Sequence, residues 1–149
     1  MATIHLPRDF KEFLRLLNAH EVEYLLIGGY AVGYFGYPRA TADMDIWIAM
    51  TPANAEKTVA VLKEFGFDLP DLSPELFLKE WQIIRLGIPP VRIEISTTIS
   101  GVDFGECYAG RVIAELDGEL VNLISLKKLK INKKASGRHQ DLADLEKLP

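Results

Sequence analysis

The sequence predicts an α/β (α+β) fold in which helices flank a mixed, twisted sheet. Segments with apolar residues at three- and four-residue spacing, typical of amphipathic helices, are followed by short segments in which every second residue is apolar, typical of half-buried strands. The chain has 149 residues and a hydrophobic content of 48%, which is enough for one core of ordinary size. We therefore expect a single domain over residues 1–149.

The first half of the chain predicts a helix over residues 7–19, a strand over 23–27, a glycine turn, a short helix over 30–35 and a strand over 44–49. In that last strand the alternation places Met44, Ile46 and Ile48 on a core face. Asp43, Asp45 and Trp47 fall on the opposite face.

The second half predicts further elements with recognisable ends. Thr51 is a helix N-cap before Pro52, and Gly66 ends that helix. A helical turn over residues 74–78, strands over 81–86 and 91–96 and a brief helix over 103–109 follow. Asp117-Gly118 favours a type I′ hairpin turn between strands 112–116 and 119–123, and two helices, 125–135 and 141–148, complete the chain.

Composition excludes several classes of protein. The formal net charge of −4 argues against broad, nonspecific adhesion to nucleic acid or anionic lipid. Cys107 is the single cysteine, so an internal disulfide is excluded and a cytoplasmic location is the default expectation. No segment approaches the ~18–20 apolar residues of a membrane span, and residues 1–10 lack the apolar core of a signal peptide. We expect no membrane partner.

Gly28-Gly29 follows an apolar strand, as glycines do in phosphate-binding loops, where they let backbone N–H groups approach phosphate oxygens. Tyr30 stands where a dinucleotide fingerprint needs glycine, and the lysine and hydroxyl of a P-loop are absent. Both of these nucleotide motifs are therefore excluded. A tight turn without any ligand remains an equal alternative.

Carboxylates on two strands provide the stronger signal. Asp43 and Asp45 lie two residues apart, so on a strand they share one face about 7 Å apart, a spacing suited to hard cations. Glu94 lies on the polar face of the later strand and could supply a third oxygen or a general base. The alternatives are a solvated acidic edge, and for Glu94 a surface pair with Arg92 or a cross-strand lysine.

The order of these motifs resembles that of the polymerase-beta-type nucleotidyltransferase superfamily, especially its small stand-alone prokaryotic members. The family pattern is a strand, Gly-Gly or Gly-Ser, a helix, Arg-x-Thr-x-Asp-x-Asp and a later acidic strand. Here it reads Gly28-Gly29, Arg39-Ala40-Thr41-Ala42-Asp43-Met44-Asp45 and Arg92-Ile93-Glu94-Ile95. The Gly-Gly form with Arg-x-Thr resembles the abortive-infection toxin-like branch. Residues 132–138 and 141–145 are similar to the basic and acidic helices that close the nucleotide cleft in that family.

The resemblance implies Mg²⁺-dependent transfer of a nucleoside monophosphate from an NTP to a hydroxyl acceptor. The implied catalytic and metal-binding residues are Asp43, Asp45 and Glu94, which would hold two Mg²⁺ ions, with Mn²⁺ as a substitute. The implied nucleotide-binding residues are Gly28, Gly29, Arg39, Thr41 and Lys133. The third carboxylate of the family is commonly Asp, whereas Glu94 is one methylene longer.

The acceptor stays open among RNA, protein and a small molecule, because no additional domain is evident to recognise it. Specificity could reside in a partner protein or in a homo-oligomer interface. The alternative function is a catalytically silent nucleotide-binding or toxin–antitoxin interaction protein on the same scaffold.

Overall fold

The computed structural model describes residues 4–36 and 38–149. The helices within these residues are α1 (Arg8–Ala19), α2 (Gly28–Phe35), α3 (Pro52–Phe65), α4 (Phe104–Ala109), α5 (Leu126–Ser136) and α6 (His139–Lys147), with a 3₁₀ turn at Pro74–Phe77. The strands are β1 (Tyr24–Ile27), β2 (Asp43–Ile48), β3 (Ile83–Leu86), β4 (Arg92–Ser96), β5 (Val112–Leu116) and β6 (Glu119–Leu123). None of the described helices is long and apolar enough to cross a membrane.

The strands form one twisted sheet in the order β3-β4-β2-β1-β6-β5. The β2–β4 and β1–β6 pairs are parallel, whereas β1–β2, β3–β4 and β5–β6 are antiparallel. The predicted α/β fold with a mixed sheet is therefore confirmed. The parallel pairing of β2 with β4 brings the strand that carries Asp43 and Asp45 beside the strand that carries Glu94.

Helices α1 and α3 pack together and cover an apolar face of the sheet. All four residues of β1 are buried, which shows that layers of the fold cover both faces of this central strand. The buried residues of α1 are those that its spacing predicts: Phe10, Phe13, Leu14 and Leu17. The amphipathic reading of residues 7–19 is confirmed.

The predicted caps are also present. The Thr51 side chain accepts a hydrogen bond of 3.2 Å from the Asn54 backbone N–H, and Gly66 ends α3 in a left-handed conformation. Asp117 and Gly118 have φ values of 48° and 84°, as a type I′ turn between twisted strands requires. Local sequence alone explains these boundaries.

A local prediction at the start of α2 is wrong. The glycine pair does not form a separate turn before the helix, because α2 begins at Gly28 and both glycines belong to its first turn. Trp47 lies in the same strand as the aspartates, on the face that the alternation predicts for all three, and it is buried. Phe104 of α4 packs edge-on against its ring at 5.0 Å, so α4 covers that face of β2 beyond the carboxylates.

Candidate active site

Strand pairing brings three carboxylates together. In the parallel pairing of β2 with β4, Asp45 lies opposite Glu94 and Asp43 lies opposite Arg92. One oxygen from each of Asp43, Asp45 and Glu94 lies within 4.8 Å of the others. The cluster therefore results from the register between two strands, and its members are on the shared face that the alternation predicts.

Two arginines partly neutralise this cluster. Arg92 donates to Asp43 through Nε at 2.8 Å and through Nη2 at 2.9 Å, a two-pronged geometry that suits a carboxylate. Arg85 on β3 donates from Nε to Glu94 Oε1 at 2.8 Å. Among the described residues Asp45 forms no ion pair. Arg92 Nη2 also lies 3.7 Å from Glu94 Oε1, so the alternative pairing of Glu94 with Arg92 is present, and its cross-strand partner is Arg85 rather than a lysine.

Of the three carboxylates, Asp45 is the one whose negative charge is least neutralised by neighbouring cations. Burial raises its pKa to about 7, and repulsion from Glu94 together with a hydrogen bond to that residue adds to the increase. Asp43 contributes further repulsion, while Lys133 acts in the opposite direction. A cation between the carboxylates would relieve both the burial cost and the repulsion.

The glycines allow the start of α2 to approach the cluster closely. Gly28 has φ +69°, and a Cβ there would lie 2.0 Å from Asp45 Oδ2. A Cβ on Gly29 would lie 2.7 Å from Thr41 Oγ1 and 3.2 Å from an Arg39 Nη2 atom. Any side chain at Gly28 would therefore occupy the space that separates α2 from the carboxylates.

A second charged cluster closes the opposite wall of the site. Lys133 on α5 is only 4% exposed, and its Nζ lies 3.0 Å from Asp141 Oδ1 and 3.1 Å from Asp144 Oδ2. Arg39 donates to both oxygens of Asp144, at 3.0 and 3.2 Å, and Arg138 Nε donates to Asp141 Oδ2 at 2.8 Å. These contacts hold α5, α6 and the segment before β2 together.

The two buried aspartates in this cluster remain charged. Burial raises the pKa of Asp141, but hydrogen bonds from Arg138 and Lys133 outweigh it and leave the pKa below its ordinary value. For Asp144, burial is likewise outweighed by hydrogen bonds from Lys133, Gln140 and Arg39. Both are therefore ionised and paired at neutral pH.

A cleft of about 680 Å³ lies between the two clusters, a volume typical of small-molecule sites. Its lining includes all eight residues that the sequence singles out: Gly28, Gly29, Arg39, Thr41, Asp43, Asp45, Glu94 and Lys133. The Thr41 hydroxyl donates to the Asp43 carbonyl at 3.1 Å. The structure therefore brings every candidate residue to one cleft, although the cations among them already have carboxylate partners.

Sequence reasoning missed three contributors to the cleft. Arg85 and Trp81 line it from β3 and the residues before that strand, and Asp144 positions Arg39 from α6. The alternation of β3 could have indicated Arg85, because it shares a face with Ile83. Nothing local in the sequence indicates that Arg39 and Asp144 meet.

The donor set fits a divalent cation. Carboxylate oxygens are the preferred ligands of Mg²⁺ and Mn²⁺, and three of them converge within 4.8 Å. Asp45, without a cationic partner among the described residues and with its pKa raised to about 7, is the oxygen donor that a cation would stabilise most.

Comparison with known proteins adds one finding to this geometry. No protein-family model matches the chain, and no curated protein does. A solved structure from Thermotoga maritima, described as a "putative nucleotidyltransferase", is similar with a TM-score of 0.63. The fold is nucleotidyltransferase-like. The alignment covers 96% of this chain and 94% of the other at 18% identity, so the likeness concerns the whole architecture and establishes the fold alone.

Proposed function

We propose that the protein is a Mg²⁺-dependent nucleotidyltransferase that transfers a nucleoside monophosphate from an NTP to a hydroxyl acceptor. The observation that carries the proposal is the convergence of three carboxylates within 4.8 Å beside a helix that begins with two glycines. Oxygen ligands for cations and free backbone N–H groups for phosphate then meet in one cleft.

Phosphate binding is assigned to the end of the cleft at α2. The first N–H groups of that helix, at Gly28 and Gly29, have no partner within the helix and favour an anion. Arg39, Thr41 and Lys133 line the cleft near them. Because Asp141 and Asp144 hold Lys133 and Arg39 in ion pairs, we assign these cations a role in shaping and balancing the charge of the phosphate site.

Asp43, Asp45 and Glu94 would hold two Mg²⁺ ions, or Mn²⁺ in their place, and such paired ions stabilise the attacking and leaving oxygens of an in-line displacement. Glu94 is assigned as the base that accepts the proton of the acceptor hydroxyl, with Arg85 orienting its carboxylate through Oε1. The acceptor oxygen forms a bond to the α-phosphorus, the bond from that phosphorus to the bridging oxygen breaks, and pyrophosphate leaves.

A second candidate function is a catalytically silent nucleotide-binding or toxin–antitoxin interaction protein. The observation that favours it is the pairing of Asp43 with Arg92 and of Glu94 with Arg85, which neutralises much of the cluster without a metal. The motif form similar to the abortive-infection toxin-like branch is compatible with either function. The acceptor of the first function could be RNA, a protein or a small molecule, and under either function a partner could be another protein or a second copy of the chain.

Purified protein incubated with each labelled NTP, Mg²⁺ and a pool of total RNA or protein tests the proposal. We expect label to enter one acceptor pool with the wild type and not with the Asp43→Ala/Asp45→Ala variant. A matched control is Glu115→Gln, which removes an exposed carboxylate on β5 at the far edge of the sheet. Equal, background labelling of both pools by wild type and double variant would reject transfer to RNA or protein and favour the silent function.

A further inference from the structure

The end of the cleft away from the glycines is lined by exposed apolar side chains. Trp81 and Ile83 line the cleft together with Arg85. Trp81 is 63% exposed and Ile83 is 47% exposed. Together they place apolar surface in an otherwise polar cleft, and a ligand that covers it removes this surface from water.

The backbone holds Trp81 in this position. Its φ of +59° lies in the left-handed region, which a bulky residue rarely adopts. The Trp81 N–H donates to Thr98 Oγ1 at 3.0 Å, and the next residue, Gln82, donates from its N–H to Thr97 Oγ1 at 3.0 Å. Backbone conformations of this kind cluster at ligand sites, where surrounding contacts determine them.

The strand register gives the position of Trp81 relative to the carboxylates. Arg85 lies opposite Glu94 in the β3–β4 pairing, and Trp81 precedes Arg85 by four residues, about 13 Å along an extended chain. If the α-phosphate lies at the carboxylates and the outer phosphates lie at Gly28 and Gly29, the nucleoside is free to extend toward Trp81. A ribose and a base can bridge that span.

We propose that Trp81, flanked by Ile83, is the platform on which the nucleobase of the bound NTP stacks, and that it selects purine over pyrimidine nucleotides. This inference rests on the nucleotidyltransferase function proposed above. Stacking on an indole ring is favourable for every base and increases with the area of overlap, so the larger purine ring benefits more. Thr98, Ser100 and Asn132 line the same cleft and offer hydrogen-bonding groups for the edge of the base.

Two tryptophans with different surroundings make a direct test available. Trp47 is buried in the core and serves as an internal reference, whereas Trp81 is accessible. On titration with ATP or GTP in Mg²⁺ we expect the tryptophan emission of the wild type to be quenched and that of Trp81→Phe to stay unchanged. Calorimetry should show that Trp81→Ala weakens purine nucleotides about tenfold, UTP and CTP less, and that Trp81→Phe retains most of the affinity.

Inorganic tripolyphosphate, which has no base, separates this inference from the function on which it rests. We expect wild type and Trp81→Ala to bind tripolyphosphate equally. Ile113→Ala, which truncates a side chain of equal exposure (64%) on β5 at the opposite sheet edge, should leave nucleotide binding unchanged and controls for the general effects of surface truncation.

Three results would overturn the inference. If ATP and GTP bind wild type and Trp81→Ala with the same affinity, the platform is rejected while the nucleotide site stands. If neither NTP nor tripolyphosphate binds, the nucleotide site and the platform are both rejected. If an oligo(A) RNA quenches Trp81 and ATP does not, Trp81 belongs to an acceptor site and not to the nucleotide.

Discussion

The cleft lies between two charged clusters that differ in how completely their carboxylates are neutralised. On β2 and β4, three carboxylates meet two arginines that remain partly exposed, and Asp45 forms no ion pair among the described residues. Between α5 and α6, Asp141 and Asp144 are almost fully buried, and Lys133, Arg39 and Arg138 match them. The first cluster carries negative charge that no cation in the described part of the chain neutralises and that faces the cleft, as in a cation site. In the second cluster every carboxylate is paired with a cation, and these pairs link elements of the fold.

Removing the central cation of the second cluster should have the largest effect. Lys133→Met leaves two buried carboxylates without their shared partner, so we expect the free energy of unfolding to fall by about 3–5 kcal/mol. Denaturant titration measures this loss. Lys134→Met, which truncates the exposed neighbour on the same helix, is the matched control and should cost less than about 0.5 kcal/mol. Similar losses in both variants would show that the pairing in this cluster is weak.

Filling the space between α2 and the carboxylates should have the next largest effect. Gly28→Ala places a left-handed alanine 2.0 Å from Asp45 Oδ2, so we expect a loss of about 1–2 kcal/mol from the backbone alone and weaker Mn²⁺ binding. Gly66→Ala is the control, because Gly66 also has a positive φ but a Cβ there meets nothing within 4 Å. Calorimetric titration with Mn²⁺ should distinguish the two variants, and equal Mn²⁺ affinity would contradict the assignment of the site.

The raised pKa of Asp45 predicts that the stability of the protein depends on pH. Its pKa is raised from 3.8 to about 7, so between these values the native state holds a proton that the unfolded state has lost. In EDTA the stability of the wild type should therefore fall as pH rises toward 7. Asp45→Asn removes this titration and should be the more stable protein above pH 7, by on the order of 1 kcal/mol.

Thermal unfolding across this pH range, with Glu115→Gln as the control for loss of an exposed carboxylate, measures the difference. The interpretation fails if wild type and Asp45→Asn show the same dependence on pH.

Removing an arginine from the first cluster should have the smallest effect on stability. Arg92→Ala breaks partly exposed pairs with Asp43 and, at longer distance, with Glu94, at a cost below about 1 kcal/mol. The same change frees both Asp43 oxygens, so we expect tighter Mn²⁺ binding in a calorimetric titration. Arg15→Ala, which breaks the surface pair with Glu119, should lower the free energy of unfolding by a similar amount to Arg92→Ala. It should leave the Mn²⁺ affinity unaltered. Weaker Mn²⁺ binding by Arg92→Ala would indicate that Arg92 holds Asp43 in its ligating position.

Most boundaries of the fold follow from short-range patterns. Helix α1 matches its apolar spacing, Thr51 and Gly66 mark the ends of α3, and Asp117-Gly118 turns the hairpin. These features depend on interactions between residues a few positions apart, and local sequence therefore determines them. Trp47 shows the limit of this reasoning, because its burial depends on α4, an element distant in sequence.

The sequence by itself determined the strand–glycine–helix order and placed Asp43 and Asp45 on one face, since the two-residue period of a strand is a local property. Only the tertiary structure decided that Asp45 lies opposite Glu94, that Arg85 and Arg92 reach the carboxylates, and that Arg39 and Lys133 are committed to Asp144 and Asp141. The physical reason is that strand register and helix docking minimise the free energy of the whole core, and no single segment specifies its partner across the sheet.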